Sequence, residues 1–189
     1  MQLPEPIRAT PDFIYKPYYA AKFNNFILQI GPDVLAVGAL PEYPGWSSFS
    51  KEVATVWKKS FSSGAIGRVT RIGIRYINCF NFDIFSRINL GITMNGDPIQ
   101  SRDSYVRTLI SGEKFNSTLQ VVNNTSFQRA GTNEIVSGSI IDIDTFAEDI
   151  PDEFPKTAKK ILTEGHNEEK KLFFRLLHDD YIESLNPSY

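Results

Sequence analysis

The order in which two hydrophobic periodicities follow one another restricts the fold of this chain more than any other feature. Alternating apolar and polar residues, typical of half-buried strands, recur over much of the 189 residues. Helical spacing occurs in only two long segments, residues 46–61 and residues 154–177. Strands that follow one another without intervening helices form antiparallel sheets rather than βαβ units. We therefore predict an α+β fold: a mainly antiparallel sheet packed against one short helix and one long C-terminal helix, in a helix-grip-like arrangement.

The strand pattern is clearest in the segment RVTRIGIRYINCFNF, which begins at Arg68. Its alternation predicts one face with Ile72 and Ile74 and an opposite face with Arg71 and Arg75. The other predicted strands share the same enrichment in β-branched and aromatic residues. They cover residues 26–30, 34–37, 105–110, 114–123, 126–129 and 134–144.

Proline, glycine and asparagine mark where the predicted elements end. Four prolines within residues 1–18 oppose a helix, so we predict an extended lead-in to a single domain over residues 19–187. Asn123 and Asn124 are predicted to form a turn between two strands. Residues 83–100 are predicted to hold a short helix followed by a loop.

Composition limits the chemistry that the chain can perform. Two His and one Cys leave few residues for a zinc site or a nucleophilic triad, so no cofactor is predicted and an enzyme is not favoured. The single cysteine, Cys79, cannot form an internal disulfide, which favours the cytoplasm. Its aromatic surroundings predict that it is buried. No apolar run approaches the roughly 20 residues of a membrane span, and the first residues do not resemble a secretory signal.

Charge is unevenly distributed, although the net charge is only −2. Residues 51–80 contain six basic and one acidic side chain, a net charge of +5. Residues 140–189 contain six basic and twelve acidic side chains, a net charge of −6. The overall balance does not favour a general nucleic-acid binder. Either the two segments pair or are solvated, or the basic one is a patch for an anionic partner.

The basic segment contains the first candidate site. Arg71 and Arg75 share one strand face, Arg68 lies at the start of the strand, and Asn78 lies further along it. Because guanidinium groups donate in a planar fork, these residues form a candidate site for a phosphate or carboxylate, in a small ligand or a nucleic acid. The alternative is that the arginines pair with carboxylates on a neighbouring strand.

Asp142 and Asp144 are the expected carboxylates, since they have the same two-residue alternation. Carboxylates at i and i+2 on one strand face lie about 7 Å apart and could hold Mg²⁺ through water or act in acid–base chemistry. The alternative is simply a strand end that enters an acidic loop. No third carboxylate has a recognisable spacing, so these are weak metal candidates. His166 and His178 have no second ligand at helical spacing, so a structural role is predicted for them.

Five segments carry a resemblance to a known family. They are FILQIGPDVLAVGAL, WSSFSKEVATVWKKSF, RVTRIGIRYIN, IIDIDTF and LFFRLLHDDYIESLNP, and they are scattered over residues 26–187. Their ordered series resembles an uncharacterised, sporadically distributed family of prokaryotic proteins. Members usually carry an extra strand-rich segment ahead of the matched part, which implies a short variant or a fragment here.

The resemblance implies no particular activity, because the family has none that is established. Its patchy distribution is similar to that of toxin–antitoxin or phage-defence genes, which is an association and not a mechanism. Together these observations favour a non-enzymatic interaction protein with a protein partner or a second copy of itself, and no membrane. A binding module for an anionic ligand or nucleic acid is the second hypothesis, and a metal-dependent enzyme is the third.

Overall fold

The computed structural model contains two compact units, Met1–Ile66 and Gly67–Tyr189. The residues whose structure is described are 15–99, 103–128, 133–148, 150–151 and 153–185. Most of the lead-in predicted for residues 1–18 lies outside them. The single domain expected over residues 19–187 spans both units and stays a prediction.

The first unit is a three-stranded antiparallel meander followed by a helix. Its strands lie in the order β1–β2–β3, and its elements are β1 (Tyr19–Phe23), β2 (Phe26–Gly31), β3 (Val34–Ala39) and α1 (Trp46–Ser62). The stripe predicted from helical spacing faces the sheet. Phe49 of α1 stacks on Phe26 of β2 with ring centroids 6.2 Å apart, and Val53 is buried one turn later. This is the predicted short helix.

The second unit contains the main sheet, which is antiparallel and four-stranded with the order β4–β9–β8–β7. Its strands are β4 (Ile72–Phe80), β7 (Tyr105–Ile110), β8 (Asn116–Gln128) and β9 (Ile135–Ala147). A 3₁₀ turn (Ile84–Arg87) and a small hairpin, β5 (Thr93–Met94) and β6 (Asp97–Pro98), lie between β4 and β7 in the chain. The α+β class and the antiparallel sheet predicted from the sequence are confirmed.

Two helices follow the sheet, α2 (Phe154–Leu176) and α3 (Asp179–Ser184). Helix α2 packs against β4 and β9, and we call the sheet face that it covers the inner face and the opposite one the outer face. The core between helix and sheet contains the fully buried Ile84, Val121, Ile141, Ile143 and Leu177. This is the predicted long C-terminal helix.

Gly165 explains why α2 is continuous although Gly and Asn lower helix propensity there. A Cβ atom at this position would lie 3.1 Å from side-chain carbons of both Ile74 and Phe115. The missing side chain therefore lets the helix approach the sheet closely, and tertiary packing compensates for the low propensity. Among the described helices, none combines the length and the apolar composition that crossing a membrane requires.

The turn predicted at Asn123 and Asn124 is wrong, because β8 continues through both residues. The pairing of β8 with β9 shifts register between Val122 and Thr125, so one extra residue of β8 is absorbed as an irregularity of the strand. Asn124 has a φ of 50°, a conformation that Asn tolerates. The buried Asn123 accepts a hydrogen bond from the Ser104 amide at 2.7 Å. Asparagine thus marks a strand irregularity here and not a chain reversal.

The short helix predicted within residues 83–100 is present as the 3₁₀ turn, but the predicted loop is a hairpin. Asn95 and Gly96 have φ values of 52° and 90°, and Met94 pairs with Asp97 across them. Two consecutive left-handed residues are the signature of a type I′ hairpin turn, for which Asn-Gly is the preferred sequence.

Candidate functional site

The outer face of the four-stranded sheet brings together most of the residues that the sequence singled out. Strand register aligns Cys79, Ile140, Val122 and Tyr105 side by side, one from each strand. We call these four residues the apolar row. Because side chains alternate between faces, the neighbouring positions on the outer face belong to Ile77, Asp142, Gln120 and Arg107.

Arg75 and Asp142 form the central polar contact of this face. Arg75 Nε donates to Asp142 Oδ1 at 2.8 Å, and Arg75 Nη2 donates to Asp142 Oδ2 at 2.6 Å. This two-bond fork is the strongest geometry available to a guanidinium and a carboxylate. The hydrogen bond to Asp142 raises the pKa of Arg75 and outweighs the opposing effect of burial. Asp142 is only 7% exposed, so solvent screens the pair less than a surface ion pair.

The contact extends across the whole sheet through two further side chains. Gln120 Nε2 donates to Asp142 Oδ2 at 3.2 Å, and Tyr105 Oη donates to Gln120 Oε1 at 2.7 Å. We call Arg75, Asp142, Gln120 and Tyr105 the polar row, since one hydrogen-bonded chain joins all four strands. Each member restrains the rotamer of the next, which makes this part of the face rigid.

Arg71 makes a second cross-strand ion pair, next to the polar row. Its Nη2 donates to Asp144 Oδ2 at 2.7 Å, and its guanidinium carbon lies 4.2 Å from the centre of the Phe146 ring. Gly73 provides the space, because a Cβ there would lie 2.9 Å from Arg71 Nη1. The cross-strand pairing that the sequence offered as the alternative to an anion site is therefore present at both arginines.

The remaining candidates of the basic strand do not join the two ion pairs. Arg68 is exposed in the segment before β4. Asn78 pairs in register with the buried Ile141, so it lies on the inner face, and grouping it with the arginines was wrong. The physical reason is the two-residue period, by which residues three apart in a strand point to opposite faces. The anion candidate thus reduces to Arg68, Arg71 and Arg75.

The same period overturns the expectation that Cys79 is buried. Cys79 is exposed on the outer face, whereas Tyr76 and Phe80 alternate with it and belong to the inner face. The neighbouring side chains of Ile140 and Ile77 shield the thiol of Cys79 from part of the solvent, and this partial burial raises its pKa. Aromatic neighbours in sequence are therefore not neighbours in space within this strand.

Among the described residues, Asp142 and Asp144 do not join other side chains in a metal-ligand cluster. Each carboxylate has an arginine partner, at 2.6 Å and 2.7 Å respectively. Within the described part of the chain, no three His, Cys, Asp or Glu side chains converge on one point. The two aspartates therefore act as structural partners of the arginines, and their geometry does not support the hypothesis of a metal-dependent enzyme.

Arg107 is a residue of this face that sequence reasoning missed. It lies on β7 opposite Gln120 in register, and it has no acidic partner among the described residues. Gln120 and Tyr105 were missed too, because their contact depends on how β7, β8 and β9 are aligned. The available signal was the alternation of Tyr105, Arg107 and Leu109, which places all three on one face.

A second group of ionisable residues lies between α2 and the inner face of the sheet, and none of them was assigned a site. Glu169 lies on the sheet-facing stripe of α2, is 4% exposed, and has its pKa raised to about 7 by burial. His166 Nδ1 lies 3.3 Å from Tyr76 Oη. Burial, and to a lesser extent Lys170, lowers the pKa of His166. The contact with Tyr76 fits the structural role predicted for His166.

One cavity of about 290 Å³ lies where α2 begins. Its walls include Lys114, Lys160 and Ile161, and among the described residues that line it there is no arginine. Both lysines form ion pairs with Glu164, Lys160 at 3.9 Å and Lys114 by a close contact. Glu164 therefore offsets the positive charge of the two lysines. The described lining of the cavity is not the arginine-lined pocket that would support the anion-binding hypothesis.

Comparison with known proteins adds no family to this picture. The chain matches no family model, no curated protein and no solved structure. The resemblance to an uncharacterised prokaryotic family stays an expectation from the sequence. The geometry of the outer face is therefore what bears on function.

The two ion pairs are expected to differ in strength, and a double-mutant cycle measures the difference. Arg75→Ala combined with Asp142→Ala should give a coupling energy of about 2 kcal/mol, because the pair has two hydrogen bonds and a largely buried carboxylate. The matched cycle of Arg71→Ala with Asp144→Ala should give less than about 1 kcal/mol, since a single hydrogen bond joins the two groups and the Asp144 carboxylate is more exposed than that of Asp142. Urea unfolding of the six variants gives both values. Equal coupling energies would show that the second hydrogen bond and the deeper burial of Asp142 do not strengthen the ion pair with Arg75.

Proposed function

We propose that the protein is a non-enzymatic interaction module and that the outer face of its four-stranded sheet binds a protein partner. One observation carries this proposal: Ile77, Tyr105 and Leu109 lie on this face and are 56%, 62% and 59% exposed. The apolar row ends at Tyr105 and begins at Cys79, two residues after Ile77 on β4, so it connects these exposed side chains across the strands. Exposed apolar clusters of this kind on a folded domain mark sites of association.

The polar row supports the proposal because it prepares the surface for binding. Tyr and Arg are enriched at the centres of protein interfaces. Here Tyr105 and Arg75 are both held by the hydrogen bonds of the polar row. Since their rotamers are already restrained, less conformational entropy is lost when a partner docks. Arg75 Nε, Arg75 Nη2 and Tyr105 Oη already donate hydrogen bonds within the protein, so a docking partner need not supply acceptors for these three groups.

Arg107 indicates the chemistry of the partner. Of the described arginines on or beside the outer face, Arg71 and Arg75 already pair with carboxylates, whereas Arg107 has no acidic partner in the described part of the chain. A partner that places an acidic side chain near Arg107 and apolar side chains over the apolar row would match both properties.

The second hypothesis, an anionic-ligand site on β4, has less support because the guanidinium groups of Arg71 and Arg75 are engaged by aspartates. A cytoplasmic location is proposed from the lone cysteine. A role in a prokaryotic defence or toxin–antitoxin system is proposed from the family resemblance only.

Cys79 provides a native probe of whether the outer face is covered. We expect its alkylation, read by mass spectrometry, to be slower in an extract of the source organism, or in concentrated purified protein, than in dilute purified protein. Slower alkylation in the extract would indicate a different protein as the partner. Slower alkylation in concentrated purified protein would indicate a second copy of this chain. Leu109→Asp should restore fast alkylation, because it places a charge on the same face.

Thr108→Asp is the matched control, since it introduces the same charge at an exposed position of the same strand but on the opposite face. It should leave the protection of Cys79 unchanged. If Cys79 reacts at one rate under all three conditions, the outer face is not covered and the proposed function is wrong.

A further inference from the structure

The hairpin formed by β5 and β6 presents an asparagine in a chemically vulnerable position. Asn95 and Gly96 occupy its two-residue turn, and both are exposed. Two residue pairs, Thr93 with Pro98 and Met94 with Asp97, hold the strands together, and the Ile99 amide donates one further hydrogen bond to the Ile92 carbonyl at 2.8 Å. Among the described residues, no hydrogen bond restrains the Asn95 carboxamide. So short a two-stranded ribbon is marginally stable and opens locally.

We propose that Asn95 is a site of spontaneous deamidation in the folded protein. The amide nitrogen of Gly96 loses its proton and attacks the side-chain Cγ of Asn95; the bond from Cγ to the carboxamide nitrogen breaks, and the NH₂ group takes up that proton through solvent and leaves as ammonia. The resulting five-membered succinimide is opened by water, to aspartate or to isoaspartate depending on which carbonyl the water attacks. Neither oxidant nor cofactor takes part. The missing side chain of Gly96 leaves its nitrogen unhindered and the backbone free to rotate into the attacking conformation.

Two other asparagines provide an internal comparison. Asn24 and Asn124 are exposed and have φ values of 49° and 50°, close to the 52° of Asn95. They are followed by Asn25 and Thr125, whose side chains hinder attack by the following nitrogen. Asn24 and Asn95 both lie in the turn of an antiparallel hairpin. The comparison therefore separates the effect of the following glycine from that of an exposed left-handed turn.

The modification would change a surface that exposes three large apolar side chains. Ile92, Met94 and Ile99 of this hairpin are 37%, 66% and 41% exposed, and either product adds a negative charge beside Asp97. Isoaspartate also inserts an extra backbone atom, which is incompatible with the pairing of Met94 and Asp97 across the turn. Deamidation is thus expected to open the hairpin and to reduce its apolar character.

The test is peptide mapping of the purified full-length protein after incubation at mildly alkaline pH, in buffer and in denaturing urea. We expect the peptide with Asn95 to convert in buffer to two products, one of which co-elutes with the same peptide from an Asn95→Asp variant. The conversion rate in buffer should lie within about tenfold of the rate in urea, because a marginal hairpin protects little. Peptides with Asn24 and Asn124 should remain unchanged.

An Asn95→Gln variant serves as the control and should lose both products. Conversion in urea but not in buffer would show that the hairpin protects Asn95 and would overturn the proposal. Conversion of Asn24 or Asn124 at a comparable rate would overturn it as well, since the following glycine would then not be decisive. A readout by peptide mass is independent of any binding partner of the outer face.

Discussion

Replacing Glu169 with Gln is expected to stabilise the protein by about 3 kcal/mol above about pH 8 and to change its stability little below about pH 5. Glu169 lies on the apolar stripe of α2 that faces the sheet and is 4% exposed. Burial is what raises its pKa from 4.5 to about 7. At about 1.4 kcal/mol for each tenfold change, this rise corresponds to about 3 kcal/mol. Gln has nearly the same shape but never carries the charge.

The direction of the pH effect follows from which state holds the proton. Between pH 4.5 and about 7 the folded protein keeps a proton on Glu169 that the unfolded chain has lost. Stability from this group is therefore fully present below pH 4.5 and is lost as pH rises through about 7. His166 acts in the opposite direction, since its lowered pKa removes stability as pH falls. The difference between wild type and Glu169→Gln isolates the contribution of Glu169.

Urea unfolding followed by circular dichroism at several pH values measures this difference. Glu168→Gln is the matched control, because Glu168 is the preceding residue on the same helix, half exposed and paired with Lys171. It should change the free energy of unfolding by less than about 1 kcal/mol. If Glu169→Gln were destabilising at high pH, the carboxylate would have a stabilising partner, and the interpretation from burial would be wrong.

Replacing Ile143 with Ala is expected to cost about 4 kcal/mol of unfolding free energy. Ile143 lies on β9 on the inner face, is 0% exposed and belongs to the core cluster beneath α2. Removing three of its carbons leaves a cavity between sheet and helix that the surrounding side chains fill only in part. Thermal or urea unfolding measures the loss.

Ile77→Ala is the matched control for the opposite face. Ile77 lies on the adjacent strand, one residue beyond the register partner of Ile143, and is 56% exposed on the outer face. Its truncation should cost less than about 1 kcal/mol, because most of its surface already contacts solvent. Equal losses for both variants would mean that the outer face is also packed, and the proposed interaction surface would then be part of a core.

The α+β class could be predicted because periodicity is a local property of the chain. Two helical stripes and a succession of alternating strands were sufficient to predict the antiparallel sheet and both main helices. Asn95-Gly96 shows how a correct local signal can be misread. The dipeptide was interpreted as part of a loop, but strand pairing on either side of it turns the same residues into a hairpin turn.

The candidate site could be predicted only in part, because its residues come from four strands. The alternation of Arg71, Arg75, Asp142 and Asp144 was visible, and it pointed correctly to cross-strand pairs. It did not reveal that Arg75 contacts Asp142 and Arg71 contacts Asp144, nor that Gln120 and Tyr105 extend the contact. The arginine–aspartate contacts depend on the register between β4 and β9, and they join residues that lie more than sixty positions apart in the sequence.

The type and order of the main helices and strands, and the face on which each strand residue lies, therefore follow from the local sequence, since propensity and the two-residue period act between near neighbours. Only tertiary packing settled which strands are adjacent, which arginine meets which aspartate, and that Glu169 is buried with no charged partner among the described residues. These outcomes depend on packing between distant segments. The packing of α2 on the sheet buries Glu169 and so raises its pKa, and it leaves the opposite, outer face of the sheet exposed.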